Sequence, residues 1–215
     1  MDFSISEEQR ALVDTVRKVC QKEFAPRAIK YLDGTWPAEN MKTLAEIGVL
    51  GMSVPPEYGG SGLGILDTVL VLEEIGKVCY VTAMAVLGEV GTQTRIINTY
   101  GPESIKRKIL PRVATGEAIL AICMTEPDAG TDVPNYKTNT VIKGDKIIIN
   151  GRKTLISRAD IAEMFVCVTF IVVFWTNMIR FRIPAQRNIL PPFVKKHVCP
   201  PMEAYLCRRG FRSFI

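Results

Sequence analysis

The spacing of apolar residues changes near residue 115, and this change limits the fold more than any other feature of the 215-residue sequence. Before it, apolar residues recur three and four positions apart, as they do in a helix with one buried face. After it, the apolar runs are short and rich in β-branched residues, as in Glu117–Cys123, Lys137–Ile142 and Lys146–Asn150. The sequence therefore predicts an α+β fold, with an all-helical domain over residues 1–115 and a β domain from residue 116.

Residues that begin or end helices divide the first domain. Ser6 and Gln9 form a capping box that predicts the start of the first helix, and Pro26 predicts its end. The other predicted elements are, in chain order, a helix from Pro37 to Gly48, a Gly- and Pro-rich loop over 48–64, helices over 65–79 and 82–99, and a short helix from Pro102 to Pro111. The helices over 65–79 and 82–99 are apolar enough to lie in the core.

The net charge of +5 does not indicate a nucleic-acid partner, because the charge is unevenly distributed. Residues 171–215 contain eight Lys or Arg and one Glu, whereas residues 1–170 contain 19 basic and 21 acidic residues. The basic segment lacks the interleaved aromatic residues of a nucleic-acid-binding module. We therefore expect no nucleic-acid partner.

The single histidine and the six cysteines exclude several classes of enzyme. His197 lies in the basic segment, so residues 1–170 have no histidine for a zinc hydrolase or a Ser-His-Asp enzyme. The cysteines show no CxxC or zinc-type spacing, which predicts small buried side chains and no metal site. The first residues, Met-Asp-Phe-Ser, lack the features of a secretory signal, which predicts a cytoplasmic protein. The apolar stretch 164–179 is shorter than the roughly 20 residues of a membrane span, so we expect no membrane association.

Two segments of the β domain carry the residues most typical of a binding site. The first is Ala121-Ile-Cys-Met-Thr-Glu-Pro-Asp-Ala-Gly-Thr-Asp132, and the second is Asn150-Gly-Arg-Lys-Thr-Leu-Ile-Ser157. Glycine and small residues in the first segment allow backbone N–H groups to approach a planar ring or a phosphate closely.

Together with other motifs, these segments resemble the acyl-CoA dehydrogenase family over about residues 1–170. The other motifs that carry the resemblance are Asp2-Phe3, Leu44-Ala-Glu-Ile-Gly48, Val54-Pro-Pro-Glu-Tyr-Gly-Gly60, Glu73-Glu-Ile-Gly76, and Leu110-Pro111 with Gly116-Glu117. Each is weak evidence alone, but all occur in the order and at the spacing of the family. The resemblance implies an N-terminal helical domain, an incomplete antiparallel β domain over residues 116–170, and absence of the C-terminal helical bundle of the family.

The resemblance also implies which residues surround a bound FAD. They are Met124, Thr125, Gly130, Thr131, Leu155, Ile156 and Ser157. Met124 and Thr125 match positions on the pyrimidine side of the flavin ring, and Thr131 also matches a contact to the pantetheine of the substrate. The Ser157 hydroxyl matches one near flavin N5, the atom that accepts hydride in the family. Leu155 replaces the usual Trp or Phe, so we expect weaker flavin binding.

These residues also have a purely structural interpretation. Thr125 can cap a turn, Gly130 can satisfy a backbone constraint, and Ser157 can end a strand. The residues alone do not separate this interpretation from flavin binding.

The chemistry that the resemblance implies is the α,β-dehydrogenation of an acyl-CoA thioester. In the family, a carboxylate base removes the α-proton while a β-hydrogen moves as hydride to FAD. Family members act in fatty acid metabolism, pass electrons to electron-transferring flavoprotein and form homo-oligomers. The base and the C-terminal bundle lie beyond residue 215 in the family. We therefore assign no catalytic residue and expect this truncated chain to be inactive as given.

Residues 171–215 show no clear periodicity and do not continue the resemblance, which predicts a divergent basic tail that is aberrant or disordered. Two other functions stay open. One is another flavin enzyme of the same fold, such as a flavin-dependent monooxygenase or a nitroalkane oxidase. The other is a non-catalytic fragment that binds a partner through its helical face.

Overall fold

The structure, a computed structural model, describes residues 4–143, 146–169, 172–176, 197–199 and 204–207. Their contacts divide into two compact units. The first consists of the residues up to 98 together with 104–117, and the second of 99–103 together with the described residues from 118 onward.

The first unit is built from helices. In chain order the helices are α1 (Glu7–Val19), which continues as a π-helical turn (Cys20–Phe24) and a 3-10 helix (Ala25–Tyr31), then α2 (Ala38–Glu46), α3 (Ile65–Val78), α4 (Tyr80–Val86), a π-helical turn (Leu87–Gln93), α5 (Thr94–Tyr100) and α6 (Glu103–Ala114). Short 3-10 turns lie at Val49–Gly51 and Pro56–Tyr58. The predicted helices are therefore present, and the differences lie at their ends.

The capping box at the start of α1 is confirmed. The Gln9 backbone N–H donates to Ser6 Oγ at 3.2 Å, and the Ser6 N–H donates to Gln9 Oε1 at 3.0 Å. The predicted end at Pro26 is wrong, because α1 ends at Val19 and the chain stays helical through Pro26 to Tyr31. Pro26 lies in the first turn of the 3-10 helix, where its missing N–H costs no hydrogen bond.

The predicted end of α6 at Pro111 is also wrong. The helix continues through Pro111 to Ala114. Leu110, Val113 and Ala114 are buried on both sides of the proline. Burial of this apolar face outweighs the one backbone hydrogen bond that the proline removes.

Apolar side chains from α1 to α4 form the core of the first unit. Its fully buried members include Val16, Cys20, Phe24, Leu44, Val71, Ile75, Val86 and Val90. A carboxylate of α3 is buried beside this core. Glu74 of α3 accepts hydrogen bonds from Arg17 Nε at 3.0 Å and from Lys77 Nζ at 2.7 Å. These bonds hold the pKa of the Glu74 carboxyl below its usual range and tie α1 to α3.

The Gly- and Pro-rich segment between α2 and α3 is a hydrogen-bonded loop, as predicted. Gly48 adopts a left-handed conformation with φ +79° and ends α2. Backbone hydrogen bonds of 2.6 Å from Leu63 N to the Met52 carbonyl and of 2.8 Å from Gly62 N to the Val54 carbonyl fold the loop on itself. A Cβ at Gly60 would lie 2.0 Å from the Val54 carbonyl oxygen, so this turn requires glycine.

The second unit consists of two small sheets. Its strands are β1 (Leu120–Cys123), β2 (Asn139–Lys143), β3 (Lys146–Asn150), β4 (Met164–Val168), β5 (Val172–Thr176), β6 (His197–Cys199) and β7 (Ala204–Cys207). One sheet has the order β1-β4-β5-β7 and the other the order β2-β3-β6. The α+β class is thus confirmed, and the predicted β-type runs around residues 137–142 and 146–150 form the antiparallel pair β2–β3.

One strand pair departs from the predicted antiparallel arrangement. β1 and β4 are parallel, with Leu120 opposite Met164 and Cys123 opposite Cys167. Parallel pairing requires a long crossover, and the chain between these strands is long enough to supply it. The remaining strand pairs of the two sheets, as far as the structure describes them, are antiparallel.

Three strands lie in the region predicted to be a divergent tail. β5 pairs with β4 and β7 pairs with β5, both antiparallel, while β6 pairs with β3. The apolar stretch that begins at Met164 therefore contains two strands, β4 and β5. No helix in the described part of the chain is long and apolar enough to cross a membrane.

Alanine substitution at two glycines of the first unit should have different effects on the free energy of unfolding. Gly60→Ala should lower the free energy of unfolding by about 3 kcal/mol, because the new Cβ would meet two backbone carbonyl oxygens. Gly76→Ala in α3 should be neutral or stabilise by up to about 1 kcal/mol, because its Cβ would meet only Ala83 at 3.8 Å. Urea unfolding of the full chain, followed by far-UV circular dichroism, measures both. Equal losses of unfolding free energy in the two variants would contradict the close approach of the Val54 carbonyl oxygen to Gly60.

Candidate functional site

A buried ion pair joins the two segments that the sequence identified as a binding site. Lys153 Nζ lies 2.9 Å from Glu126 Oε1, and the two side chains are only 6% and 4% exposed. Glu126 follows β1 in the first segment, and Lys153 follows β3 in the second. Because a charged group buried alone is strongly destabilising, each of these residues requires the other.

Lys153 also contacts two further groups. Its ammonium donates a hydrogen bond of 2.7 Å to the Met124 carbonyl oxygen. It lies 4.0 Å from the centroid of the Tyr136 ring, a cation–π contact. The Tyr136 hydroxyl in turn donates to the Gly130 carbonyl oxygen at 3.3 Å. One ammonium is thus linked directly or through one side chain to Met124, Glu126 and Gly130.

The Glu126 carboxylate is equally well satisfied. It accepts hydrogen bonds from the Lys137 N–H at 2.7 Å and from the Thr138 N–H at 3.0 Å. Burial alone would raise the pKa of this carboxyl, but the hydrogen bonds from Thr138, Lys153 and Lys137 together hold its pKa below its usual range. Glu126 is therefore a charged structural group.

The backbones of the two segments are hydrogen-bonded directly to each other. The Thr154 N–H donates to the Thr125 carbonyl oxygen at 2.9 Å. Two residues later, Ile156 packs against Ala121 of β1 and Phe165 of β4. The structure therefore brings Met124 and Thr125 together with the run Leu155–Ser157, although these residues are about thirty positions apart in the sequence.

The three residues of that run have different environments. Ile156 is only 5% exposed and belongs to the core, so its side chain is not available to a ligand. Leu155 is 63% exposed and has a φ of +56°, a left-handed conformation that is rare for a branched residue. Ser157 is exposed and forms no hydrogen bond with the part of the chain that the structure describes.

The other two predicted contact residues lie on the loop after Glu126. A pair of backbone hydrogen bonds between Glu126 and Ala129 forms a tight turn. Gly130 and Thr131 follow this turn and are exposed, and a Cβ at Gly130 would meet no atom within 4 Å. Within the described ranges, no hydrogen bond joins Thr131 to Leu155, Ile156 or Ser157. The Tyr136–Lys153 contact and the Glu126–Lys153 ion pair link these two regions.

Five predicted contact residues form what we call the exposed set: Thr125, Gly130, Thr131, Leu155 and Ser157. Thr125 is half-buried and the other four are exposed. The set combines an exposed apolar side chain with hydroxyl groups and with free space above a glycine. A flavin has an apolar ring face and polar edges, and the set offers both kinds of group.

Two cysteines lie on neighbouring strands of the second unit. Cys123 and Cys167 are neighbours on the parallel strands β1 and β4, and burial raises the pKa of the Cys123 thiol. Among the described residues, no group of three or more His, Cys, Asp or Glu is placed to hold a metal ion.

The sequence analysis did not identify Lys153 and Tyr136 as parts of the site. Both residues lie within or beside the quoted motifs, but nothing in the local pattern shows that Lys153 is buried. Arg152 and Thr154 flank Lys153 and neither is apolar, so the sequence gives no sign that this lysine is buried and needs a carboxylate partner. That partner, Glu126, is far away in the sequence.

Adjacent residues of the second segment should differ sharply in their effect on stability. Leu155→Gly should change the free energy of unfolding by less than about 1 kcal/mol, since relief of the left-handed strain offsets the larger entropy of the unfolded chain. Ile156→Ala should cost about 3 kcal/mol because it leaves a cavity beside Ala121 and Phe165. Urea unfolding measures both variants. A loss at Leu155→Gly as large as that at Ile156→Ala would show that Leu155 is packed.

The ion pair should make the stability depend on pH. The pKa of Glu126 is lowered on folding, so its contribution is present above the ordinary pKa of 4.5 and is lost as the pH falls through the lower folded value. Glu126→Gln should be less stable than the wild type at neutral pH, and the difference should shrink in acid. Unfolding curves at several pH values, measured on both proteins, cancel the contributions of other groups. A difference that stays constant with pH would refute this role.

Comparison with known proteins assigns the chain to a family. The acyl-CoA dehydrogenase N-terminal domain matches residues 6–117, and the acyl-CoA dehydrogenase middle domain matches residues 121–176. The second match extends through β5, beyond residue 170, where the sequence analysis ended the resemblance.

Three similar proteins illustrate the match. A cyclohex-1-ene-1-carbonyl-CoA dehydrogenase of Syntrophus aciditrophicus (strain SB) is 40% identical over 162 residues, which are 74% of this chain and 39% of that protein. The crystal structure of an acyl-CoA dehydrogenase from Geobacillus kaustophilus has a TM-score of 0.82 at 26% identity. The alignment covers 100% of this chain and 61% of that one. The FAD complex of PigA has a TM-score of 0.73 at 26% identity, covering 81% of this chain and 49% of that one.

The chain thus spans between two fifths and three fifths of the length of these relatives. The helical first unit, the two small sheets and the two domain matches agree with one another. The chain belongs to the acyl-CoA dehydrogenase family.

Proposed function

We propose that this chain forms the N-terminal and middle parts of an FAD-dependent enzyme that dehydrogenates an acyl-CoA thioester between its α and β carbons. The observation that carries the proposal is the exposed set. Leu155 keeps an exposed apolar side chain in a strained backbone conformation, and Ser157, two positions later, is also exposed. Strain and exposure of this kind are costly without a ligand and are typical of functional sites.

Each member of the exposed set has a proposed role toward FAD. Leu155 supplies apolar contact to the ring, and the Ser157 hydroxyl donates a hydrogen bond near N5. Thr125 binds the pyrimidine edge, with Met124 behind it, and Gly130 leaves room for close approach. Thr131 contacts both the cofactor and the pantetheine of the substrate. Ile156 contributes through its backbone, because its side chain is buried. FAD, when bound, supplies the acceptor for the hydride.

The proposal does not give Glu126 the role of the base that removes the α-proton. Its carboxylate is buried, paired with Lys153 and hydrogen-bonded to two backbone N–H groups, and its pKa is lowered. A base needs access to the proton that it removes and a pKa near the working pH. We therefore propose that the base comes from the C-terminal region of family members, which these 215 residues do not cover. The 215-residue chain alone then does not turn over an acyl-CoA substrate.

The partners proposed for the intact protein follow from the family. They are an acyl-CoA thioester as substrate, electron-transferring flavoprotein as electron acceptor and further copies of the same protein in a homo-oligomer. A flavin-dependent monooxygenase would use the same exposed set, and it differs in that its reduced flavin reacts with oxygen.

One surface favours the second candidate, a non-catalytic fragment that binds a partner. Tyr80, Met84 and Leu87 lie three and four positions apart at the start of α4 and the turn after it, and all three are exposed. An apolar stripe of this kind is typical of a helix that packs against another protein. Binding of a full-length relative by a chain that holds no FAD would favour this candidate.

Titration of the 215-residue chain with FAD tests the proposed cofactor. We expect the flavin absorbance bands to co-elute with the protein. Leu155→Trp should lower the FAD dissociation constant by adding ring contact, and Ser157→Ala should raise it about fivefold by removing one hydrogen bond of about 1 kcal/mol. Ser61→Ala, which removes an exposed hydroxyl of the first unit, is the control and should change nothing.

Addition of a saturated acyl-CoA to the FAD-loaded chain tests the proposed absence of turnover. We expect the flavin to stay oxidised. Bleaching of the flavin would show that a base lies within these 215 residues. A chain that binds no FAD at any concentration would contradict the role of the exposed set.

A further inference from the structure

Lys153 is the point at which the two segments of the proposed flavin site are joined. Its ammonium binds the Met124 carbonyl oxygen at 2.7 Å, and its ion pair with Glu126 is 2.9 Å long. Met124 and Glu126 flank Thr125 in the sequence, and Lys153 directly precedes Thr154 and Leu155. The bond from the Thr154 N–H to the Thr125 carbonyl oxygen therefore lies between the groups that Lys153 holds.

The same ammonium also acts on the loop that carries Gly130. It contacts the face of the Tyr136 ring at 4.0 Å, and the Tyr136 hydroxyl binds the Gly130 carbonyl oxygen. Of the exposed set, Gly130 is bonded to Tyr136, and Thr131 follows it in the sequence. Thr125 lies between Met124 and Glu126, which both bind Lys153, and Leu155 follows Thr154, which binds Thr125. A lysine with only a packing role would not need three polar or aromatic partners, because an apolar side chain fills the same space without desolvating a charge.

We infer that Lys153 is a positioning residue for the flavin, which fixes the exposed set through Met124, Glu126 and Tyr136 and, paired with Glu126, keeps the protein side of the site electrically neutral. This inference rests on the proposed function. It goes beyond it because Lys153 and Glu126 are not members of the exposed set.

Neutrality of the pair has a consequence that packing alone lacks. Lys153→Met leaves the Glu126 carboxylate unpaired, which adds a negative charge beside the site. Glu126→Gln leaves the ammonium unpaired, which adds a positive charge. Reduction makes a flavin more negative, so a nearby negative charge lowers its midpoint potential and a nearby positive charge raises it. The two variants should therefore shift the potential in opposite directions, whereas damage to the loops would shift it in one direction.

The experiment uses the full 215-residue chain and two readouts. The first is hydrogen exchange of the Thr154 amide without FAD, measured by NMR in the wild type and both single variants. We expect faster exchange at Thr154 in Lys153→Met, with unchanged exchange in α1 and α3 of the first unit. The second is the midpoint potential of bound FAD. We expect a decrease in Lys153→Met, an increase in Glu126→Gln and a value near the wild type in the double variant.

The matched control is Lys137→Met. The Lys137 side chain forms an exposed ion pair of 2.9 Å with Asp128 in the same unit, and its backbone N–H stays in place in the variant. Exposed pairs are screened by water, so neither readout should change. A change as large as that in Lys153→Met would overturn the inference.

The other outcomes are also decisive. Unchanged Thr154 exchange in Lys153→Met would overturn the inference whether or not FAD binds. Faster exchange in a chain that binds no FAD would support the positioning of the loops and contradict the proposed function. Potential shifts of the same sign in both single variants would overturn the role of the charge. If Lys153→Met does not fold, the other two variants still test the role of the charge. Glu126→Gln keeps an amide oxygen for the backbone N–H groups and should raise the midpoint potential of FAD, and the double variant should restore it.

Discussion

The ion pair between Glu126 and Lys153 is the interaction on which the second unit depends. Neither charge could be buried without the other, and each uses its remaining capacity on the backbone, Glu126 at two N–H groups and Lys153 at one carbonyl. The strands supply a scaffold on either side, but the loops between them contain no regular ladder. Charge pairing therefore gives these loops the fixed geometry that hydrogen-bonded ladders give the sheets.

Local sequence signals were sufficient to predict much of the first unit. Ser6 with Gln9 fixes the start of α1, and Gly48 fixes the end of α2, because both act through backbone groups within a few positions. Pro26 and Pro111 show where such signals fail. Each removes one N–H, a loss of limited size, and the burial of residues on either side keeps the chain helical.

The site could be predicted only in part. The motifs indicated the residues that approach one another, and the structure joins Thr125 to Thr154 by a backbone hydrogen bond. Sequence could not show that Ile156 faces the core while Leu155 is exposed in a left-handed conformation, because that depends on packing against β1 and β4. The strands β5 and β7 were not predicted because their segment shows no clear periodicity, although β5 pairs with β4, which directly precedes it in the chain.

The parallel pairing of β1 with β4 determines the order of events during synthesis. Leu120 cannot find its partner Met164 until the ribosome has released the whole intervening chain, which includes both segments of the site. Closing such a loop is slow compared with forming a single helix of the first unit, because helical hydrogen bonds join residues only a few positions apart. β1 is therefore an unpaired apolar strand until Met164–Val168 has been made, and unpaired strand edges of this kind are prone to aggregate during synthesis.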